Sequence, residues 1–496
     1  MKKYILSLDL GSAYAGATII NQQGKVVASN QKDFEKLYPH PGWLEFDPNE
    51  LWYSLLQAAK EVLKTAGVKG DEIDAIGIAN QRETTLVWNK KTGEPVYNAI
   101  AWQDKRTANI CDDLYNQGFG QLVHERTGLI LDAYFSASKI TWILDEVEGV
   151  RRLAEEGHLA FGTLDSWIVW KLTGGKVHVT DITNASRTSL FNIHTQEWDK
   201  ELCKLFAVPP SLLPAVKACD EIGATTEAAL LGAAIPIAAI AGDQHASMFG
   251  HACFENGSIK NTYGSGCFLM MNIGEEPIVS GQNLITTIAW KLKNKTIYAL
   301  EASVFGGSST FRWLRDGLGI IDQTAEVEEL AMTEKDNGGV YFVPAFSGLG
   351  SPYWDPHARG LIIGLSRGTT SGHIARASLE GVALGICDAV EAMEKESGKK
   401  VVELKVDGTI SEYPFFLQLQ TNLLQRPVIK PNVTQQSTMG AAFMAGLATG
   451  FWNDIASIQS FFHIKQAYQP QVAESDIREI KSFWKKAVAR SQKWDW

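Results

Sequence analysis

The chain has 496 residues, of which 45% are hydrophobic and 21% charged. A chain of this length is too long to fold around a single hydrophobic core, so we expect two domains with a cleft between them. The formal net charge of −10, without any block of Lys and Arg, disfavours nucleic-acid and anionic-membrane partners and favours a small molecule. Six scattered cysteines without a Cys-x-x-Cys pair indicate reduced thiols and a cytoplasmic protein. No signal peptide is visible. No run of 18 apolar residues is present either, so we expect no membrane span.

The first predicted element is a hairpin. Residues 4–9 form a β-rich run that ends in Asp9, residues 10–16 are a turn of mostly small residues, and residues 17–20 return as a strand. Such a turn can present backbone N–H groups and a hydroxyl to a phosphate, and an acid at the strand end can hold a metal ion through its waters. Hairpins with glycine in the turn are common, so the pattern alone is also compatible with an ordinary hairpin.

A helix is predicted to follow. Residues 47–50 read Asp-Pro-Asn-Glu, which is typical of a capping box with proline at the first helical position, and the helix should end near Gly67. Its apolar residues recur along one face, at Leu51, Leu55, Ala59 and Val62.

Residues 73–79 read as a buried strand that ends in a polar cluster at residues 80–85. Within the cluster, Arg82 and Glu83 have two interpretations. They form a surface ion pair of little energetic value, or the Arg82 guanidinium and the Glu83 carboxylate together bind neighbouring hydroxyls of a polyol. Large aromatic residues such as Trp102 and Tyr134 are core residues in most proteins, and here they also provide apolar faces with polar edges.

The wholly apolar run from residue 235 to residue 241 is predicted to be a strand inside a sheet that helices cover on both faces. It delivers Asp243 to the carboxyl end of that strand, where open α/β sheets bind their ligands. Asp243 is therefore placed like a catalytic group. The alternative is that it only caps the helix that follows.

The second half of the chain repeats the opening pattern. Residues 258–263 and 268–272 are predicted strands around a tight turn at 264–267, so we expect two facing hairpins to hold a phosphate. A further loop follows a predicted strand over residues 401–406. Residues 438–450 read as a helix rich in small residues, suited either to a moving junction between domains or to tight core packing.

Long motifs in this chain resemble the signatures of the FGGY carbohydrate kinases. Residues 134–146 match the first signature, and residues 360–380 contain the second. Residues 80–85, 184–188 and 348–356 resemble the branch of that family that phosphorylates glycerol. The resemblance covers nearly the whole chain. It implies an α/β fold of two actin-like, ribonuclease-H-like ATPase domains with an interdomain catalytic cleft, assembled as a homodimer or homotetramer.

The resemblance also assigns roles to the two predicted domains. Residues 1–250 would carry the acceptor and metal sites, and residues 251–496 would bind the nucleotide. Asp243 would be the general base toward glycerol, and Asp9 would hold Mg²⁺. The glycerol-binding residues would be Arg82, Glu83, Trp102, Tyr134, Asp243, Gln244 and Phe268. The residues at the ATP would be Gly11, Ser12, Ala13, Ser265, Ser308, Gly408 and Thr409.

The predicted nucleotide loops depart from the family pattern. The first loop of the family reads Asp-Gln-Gly-Thr-Thr-Ser-x-Arg, whereas Leu10, Ala13 and Gly16 stand here at the Gln, the second Thr and the Arg. Thr409 and Ser308 stand where the family has glycine. Two alternatives therefore remain beside an ATP-dependent kinase for glycerol. One is a glycerol-binding homologue with weak or lost ATP use that acts as a sensor or partner, and the other is an FGGY kinase for another polyol or donor.

Overall fold

The structure is a computed structural model that describes residues 2–494; residues 1, 495 and 496, at the outer bounds of the two predicted domains, lie outside the described residues. The strands are β1 Tyr4–Leu10, β2 Tyr14–Asn21, β3 Val26–Asp33, β4 Glu45–Phe46, β5 Ile73–Asn80, β6 Leu86–Asn89, β7 Ala99–Ile100, β8 Leu159–Gly162, β9 Val179–Asp181, β10 Phe191–Asn192, β11 Glu197–Trp198, β12 Ala215–Lys217, β13 Ala224–Thr225, β14 Pro236–Gly242, β15 Ile259–Tyr263, β16 Cys267–Gly274, β17 Ile285–Leu292, β18 Lys295–Val304, β19 Tyr341–Val343, β20 Leu361–Ile363, β21 Leu404–Gly408, β22 Val428–Pro431 and β23 Ile464–Tyr468.

The helices pack on these strands. They are α1 Pro48–Ala66, α2 Ala108–Asn116, α3 Gly120–Thr127, α4 Ser136–Glu146, α5 Val150–Glu155, α6 Leu164–Leu172, α7 Ile182–Ala185, α8 Lys200–Leu205, α9 Ala228–Leu231, α10 Asp243–Gly250, α11 Ser308–Asp316, α12 Glu326–Met332, α13 Ser371–Ser397, α14 Pro414–Leu424, α15 Gln436–Thr449, α16 Ile455–Ser460 and α17 Glu474–Ser491.

Two large mixed sheets carry the fold, with the orders β13-β14-β5-β1-β2-β3 and β17-β18-β16-β15-β21-β22-β23. Each contains an antiparallel hairpin, β1–β2 or β15–β16, that a third antiparallel strand extends, β3 or β18. Two parallel strands continue each sheet on the other side of the hairpin, β5 and β14 or β21 and β22. The α/β class and the predicted repeat of the opening hairpin are confirmed.

The register of the first sheet brings distant parts of the chain to one edge. Leu10, Asn80 and Gly242 are paired across β1, β5 and β14, so the three strands end level with one another. Because parallel strands share a carboxyl edge, the residues at and beyond these ends come together at that edge. In the second sheet, Tyr263 and Gly408 are paired in the same way at the ends of β15 and β21.

Close backbone contact joins α15, from late in the chain, to α10 and the first sheet. A Cβ atom added to Gly440 would lie 1.8 Å from the carbonyl oxygen of Ala246, and one added to Gly77 would lie 2.2 Å from that of Ala441. The small residues of the predicted helix therefore allow tight packing between the early and late parts of the chain.

Two local predictions need correction. Asp47 is the N-cap of α1, where its side chain accepts from the Asn49 N–H at 2.8 Å, and Gly67 ends the helix in the left-handed conformation, as predicted. The capping box is wrong, because the Glu50 carboxylate accepts from the Glu35 N–H at 3.0 Å instead of returning to Asp47. The strand predicted from residue 401 begins only at Leu404.

Within residues 2–494, no helix combines the length and the apolar character needed to cross a membrane.

Candidate active site

Side chains from both sheets line one cavity of about 290 Å³. Most of the residues singled out from the sequence surround it, although they are spread from position 9 to position 268. These are Asp9, Gly11, Ser12, Ala13, Arg82, Glu83, Trp102, Tyr134, Asp243, Gln244, Ser265 and Phe268.

Three of the residues predicted to lie at the nucleotide contact the second hairpin instead of lining this cavity. The Ser308 N–H donates to the Gly264 carbonyl at 3.0 Å. Gly408 pairs with Tyr263, and the Thr409 hydroxyl donates to the Tyr263 carbonyl at 3.3 Å. They therefore lie beside the cavity, behind the turn that contains Ser265.

Asp243 is the first residue of α10, one position after the N-cap Gly242. The interpretation of Asp243 as the cap is therefore wrong. Its Oδ1 accepts from the Gln244 N–H at 2.7 Å and lies 3.5 Å from Arg82 Nε. The side chain is 26% exposed. Burial raises the pKa of the Asp243 carboxyl and the Arg82 charge opposes that rise, as expected for a carboxylate that can take up a proton.

Buried charges fix the position of Arg82. Its two terminal nitrogens donate to Glu301, on β18 of the other sheet, at 2.5 and 2.9 Å. Arg187 donates to Glu83 at 2.6 Å and to Glu301 at 3.1 Å. The side chains of all four residues are at most 2% exposed. The interpretation of Arg82 and Glu83 as a surface ion pair is therefore wrong, because both side chains are buried and Arg82 Nε lies 3.9 Å from Glu83 Oε1.

The two guanidinium groups determine the charge of Glu301. Burial alone would raise its pKa, but Arg187 and Arg82 hold the pKa at about 2. For Glu83, burial has the larger effect and raises the pKa despite Arg187. Glu301 thus remains ionised at neutral pH and keeps Arg82 in a bidentate pair.

Aromatic rings from both halves of the chain form one wall of the site. The ring centre of Trp102 lies 5.4 Å from that of Tyr134 and 5.9 Å from that of Phe268. The Trp102 indole N–H donates to the Ser12 hydroxyl at 3.0 Å, and that hydroxyl donates to Gln81 Oε1 at 3.2 Å. The indole is therefore fixed in orientation, with an apolar surface beside the polar groups of Arg82 and Asp243.

The side-chain amide of Gln244 is oriented by a buried lysine. Lys260 Nζ donates to Gln244 Oε1 and, at 3.0 Å, to Thr262 Oγ1. Burial lowers the pKa of Lys260 to about 8. Because Gln244 Oε1 accepts from Lys260, its NH₂ group remains available as a donor on the cavity side.

Carboxylates from both hairpin regions face the cavity. Asp9 Oδ2 accepts from the hydroxyls of Ser437 and Thr438, at 2.6 and 3.0 Å, and burial raises the pKa of Asp9. Asp407 Oδ2 accepts from Ser247 at 3.2 Å, whereas its buried Oδ1 has no hydrogen-bond partner among the described residues.

These oxygens fit a magnesium ion that keeps most of its water. Mg²⁺ binds proteins through one or two carboxylates and retains several waters. Within residues 2–494 no group of three or more His, Cys, Asp or Glu side chains converges as a metal cage. Asp9 and the unpartnered Asp407 oxygen, which line one cavity, would be the protein ligands of such a hydrated ion.

Several residues of the site were not predicted. Glu301 left one signal, a charged residue inside a strand that otherwise reads as buried. Arg187 and Asp407 fall in motifs already noted, but the sequence did not indicate their side-chain partners. The other cavity residues outside the predicted set are Tyr14, Gln103, Ser247, Thr262, Gly264 and Ser437.

Comparisons with known proteins agree along the whole chain. The N-terminal domain model of the FGGY family of carbohydrate kinases matches residues 4–250, and its C-terminal domain model matches residues 259–449. A glycerol kinase of Parabacteroides distasonis is 50% identical over 492 residues, and glycerol kinase 2 of Thermotoga maritima is 51% identical over 493; each alignment covers 99% of both chains. The crystal structure of Plasmodium falciparum glycerol kinase with ADP is similar with a TM-score of 0.92, at 32% identity and 98% coverage of each chain.

Proposed function

The chain belongs to the FGGY family of carbohydrate kinases, and we propose that it transfers the terminal phosphoryl group of ATP to glycerol, giving sn-glycerol 3-phosphate. One observation carries the proposal: Asp243, beside Arg82, shares a cavity with Asp9 of the first hairpin and Ser265 of the second. Relatives about 50% identical over their full length bear the name glycerol kinase, which supports the same acceptor and donor.

The acceptor half of the cavity suits a small polyol. Arg82 Nε, the Gln244 NH₂ group and the Glu83 carboxylate provide donors and acceptors for neighbouring hydroxyls, and Trp102 with Phe268 provides an apolar surface for the carbon chain. Tyr134 closes the same wall. The arrangement binds a short chain with hydroxyls on one edge and carbon–hydrogen groups on the other.

Asp243 takes up the proton of the attacking primary hydroxyl. As the new O–P bond forms, the bond from phosphorus to the bridging oxygen of ADP breaks, and the proton passes to the Asp243 carboxylate. The raised pKa of Asp243 favours this uptake. Since phosphoryl transfer depends mainly on positioning, the fixed direction of Arg82 contributes by keeping the acceptor in line.

The donor half holds the nucleotide phosphates between the two hairpins. Gly11, Ser12 and Ala13 lie on the first turn and Ser265 on the second, with Ser308, Gly408 and Thr409 behind it. Asp9, with Asp407, would hold the magnesium ion. When bound, that ion neutralises phosphate charge. The hydroxyls of Ser437 and Thr438, which donate to Asp9, keep the Asp9 carboxylate directed toward the cavity.

The alternatives raised by the altered nucleotide loops are not favoured. The relatives that bear the name glycerol kinase match this chain from end to end, and the solved relative that resembles it was crystallised with ADP.

We also propose that residues 1–250 carry the acceptor and metal sites and that residues 251–496 bind the nucleotide. We further propose that the protein forms a homodimer or homotetramer and is located in the cytoplasm. The division is supported by the strand membership of the two sheets, because the first uses strands up to Gly242 and the second uses strands from Ile259. The location is supported by six cysteines that are all free and buried.

Asp243→Asn tests the proposed base. The amide keeps the size of the side chain but cannot take up a proton from the hydroxyl, so kcat should fall by about 100- to 10,000-fold. Glycerol binding, measured by calorimetric titration, should change little. Turnover at the wild-type rate would contradict the role of Asp243, and loss of glycerol binding together with the folded signal would indicate a structural role.

A further inference from the structure

Tyr14 lies over a gap in the first hairpin. Asp9, Gly16 and Gln31 are paired in one row across β1, β2 and β3, so their side-chain positions share a face. A Cβ atom added to Gly16 would lie 3.4 Å from Cε2 and 3.6 Å from Cδ2 of Tyr14. The Tyr14 ring therefore covers the space above Gly16, beside Asp9, and it lines the cavity that also contains Asp243.

The other side chains of this turn have no free hydroxyl donor for a phosphate. Ser12 already donates its proton to Gln81 and accepts from Trp102. Gly11 and Ala13 carry no hydroxyl. Among residues 11–14, the Tyr14 hydroxyl is thus the side-chain donor left at the cavity.

The surroundings keep the Tyr14 hydroxyl protonated. Burial, followed by the carboxylates of Asp9, Asp407 and Asp243, raises the pKa of Tyr14 to about 12, although a hydrogen bond with Gln31 opposes the rise. A neutral phenol at pH 7 is a donor, and a phosphoryl oxygen is a strong acceptor. All three carboxylates line the same cavity as Tyr14. The Tyr14 hydroxyl therefore shares this cavity with Asp243, the proposed base, and with Asp9 and Asp407, the proposed magnesium ligands.

We propose that the Tyr14 hydroxyl donates a hydrogen bond to the terminal phosphoryl group of ATP, in place of the cation that the family pattern has at Gly16. This inference rests on the proposed function. Its geometric basis is that the Tyr14 ring lies above Gly16, so that the ring and an arginine side chain at position 16 are alternatives for one space. The contact distinguishes the terminal phosphate, next to Asp243, from the two phosphates that remain in ADP.

The test compares Tyr14→Phe with wild type and with Tyr53→Phe, a matched control on an exposed residue of α1 (62% exposed). Calorimetric titrations with Mg–AMPPNP, Mg–ADP and glycerol measure the three affinities separately. A hydrogen bond to a charged group accounts for about 10- to 100-fold in affinity or rate. Tyr14→Phe should therefore weaken AMPPNP and lower kcat/KM for ATP by that factor, with ADP and glycerol within twofold.

A second pair of variants tests the shared space. Gly16→Arg alone should lower ATP turnover, because the Cβ atom already touches the Tyr14 ring and a longer side chain would compete with the ring for the same space. Tyr14→Ser combined with Gly16→Arg should recover much of the lost kcat/KM. Equal turnover of the Gly16→Arg variant and wild type would overturn the inference.

The binding and turnover results separate the two proposals. If wild type phosphorylates glycerol while Tyr14→Phe binds AMPPNP unchanged, the Tyr14 contact is wrong and the function stands. If wild type does not phosphorylate glycerol but Tyr14→Phe selectively weakens AMPPNP, the contact stands and the acceptor is wrong. If wild type binds no AMPPNP, both are wrong.

Discussion

Glu301 joins the second sheet to the first half of the chain beside the cavity. It lies on the second sheet and accepts from Arg82 and Arg187, both supplied by the first half of the chain. Two buried guanidinium groups need the negative charge that Glu301 and Glu83 provide. Removing one partner of such a group leaves an uncompensated buried charge, which is far more costly than the pair itself is stabilising.

Glu301→Gln should lower the free energy of unfolding at pH 7 by about 3–5 kcal/mol. The matched control is Glu275→Gln, whose pair with Lys295 is 61% and 64% exposed and should contribute less than about 1 kcal/mol. Urea unfolding measures both. A difference of less than about 1 kcal/mol between Glu301→Gln and wild type would contradict the account.

The same variant has a defined pH dependence. The pKa of Glu301 is about 2 in the folded protein and 4.5 ordinarily. A depressed carboxyl pKa stabilises the fold above the unfolded value, and this contribution is lost as pH falls from about 4.5 toward 2. The difference in free energy of unfolding between wild type and Glu301→Gln should therefore become smaller below pH 4.5 and stay constant from pH 5 to 7. A difference that grows in acid would contradict the charge assigned to Glu301.

At the scale of single residues, the sequence predicted the residue types of the site better than their contacts. Asp243 and Arg82 each follow a predicted buried strand, so the strand pattern alone indicated their position. The bidentate pair of Arg82 with Glu301 joins residues 219 positions apart and depends on the packing of two sheets, which leaves no local pattern. Likewise, the ring of Tyr14 over Gly16 follows from strand pairing and rotamer.

At the scale of elements, the helix pair α10 and α15 sets the distance between Asp243 and Asp9. Asp243 begins α10, and the first turn of α15 supplies Ser437, which holds Asp9. The two helices touch through backbone atoms at Gly440 and Ala246. The sequence predicted a helix of small residues here. Its partner was not predictable, because small residues show that something approaches closely but not which element does so.

Gly440→Ala should disturb this spacing. The added Cβ would lie 1.8 Å from the Ala246 carbonyl oxygen, so a helix must shift, and overpacking of this kind costs about 1–3 kcal/mol. The unfolding temperature and kcat should both fall. Gly281→Ala is the control, because no atom lies within 4 Å of its added Cβ. Unchanged kcat and unfolding temperature in Gly440→Ala would show that the helix contact is not required.

At the scale of the whole molecule, two copies of one sheet topology enclose the cavity. The duplicated hairpin could be predicted because each copy has its own strand, small-residue turn and return strand. The order of strands in each sheet depends on pairings across more than 100 residues, such as β14 with β5 and β21 with β15, and was implied only by the family resemblance. The architecture brings the proposed acceptor residues of the first sheet and the turns of both hairpins to one cavity, so that the two small molecules would meet there.

The most direct test of this account is a competition among acceptors. The purified protein, with Mg–ATP and equal concentrations of glycerol, xylulose and gluconate, is sampled over time, and the phosphorylated products are separated by mass spectrometry. Glycerol 3-phosphate should be the main product, with kcat/KM for glycerol at least about tenfold higher than for the other two, a difference of about 1.4 kcal/mol in transition-state free energy. Equal or faster phosphorylation of the five-carbon sugar, or no transfer to glycerol, would contradict it.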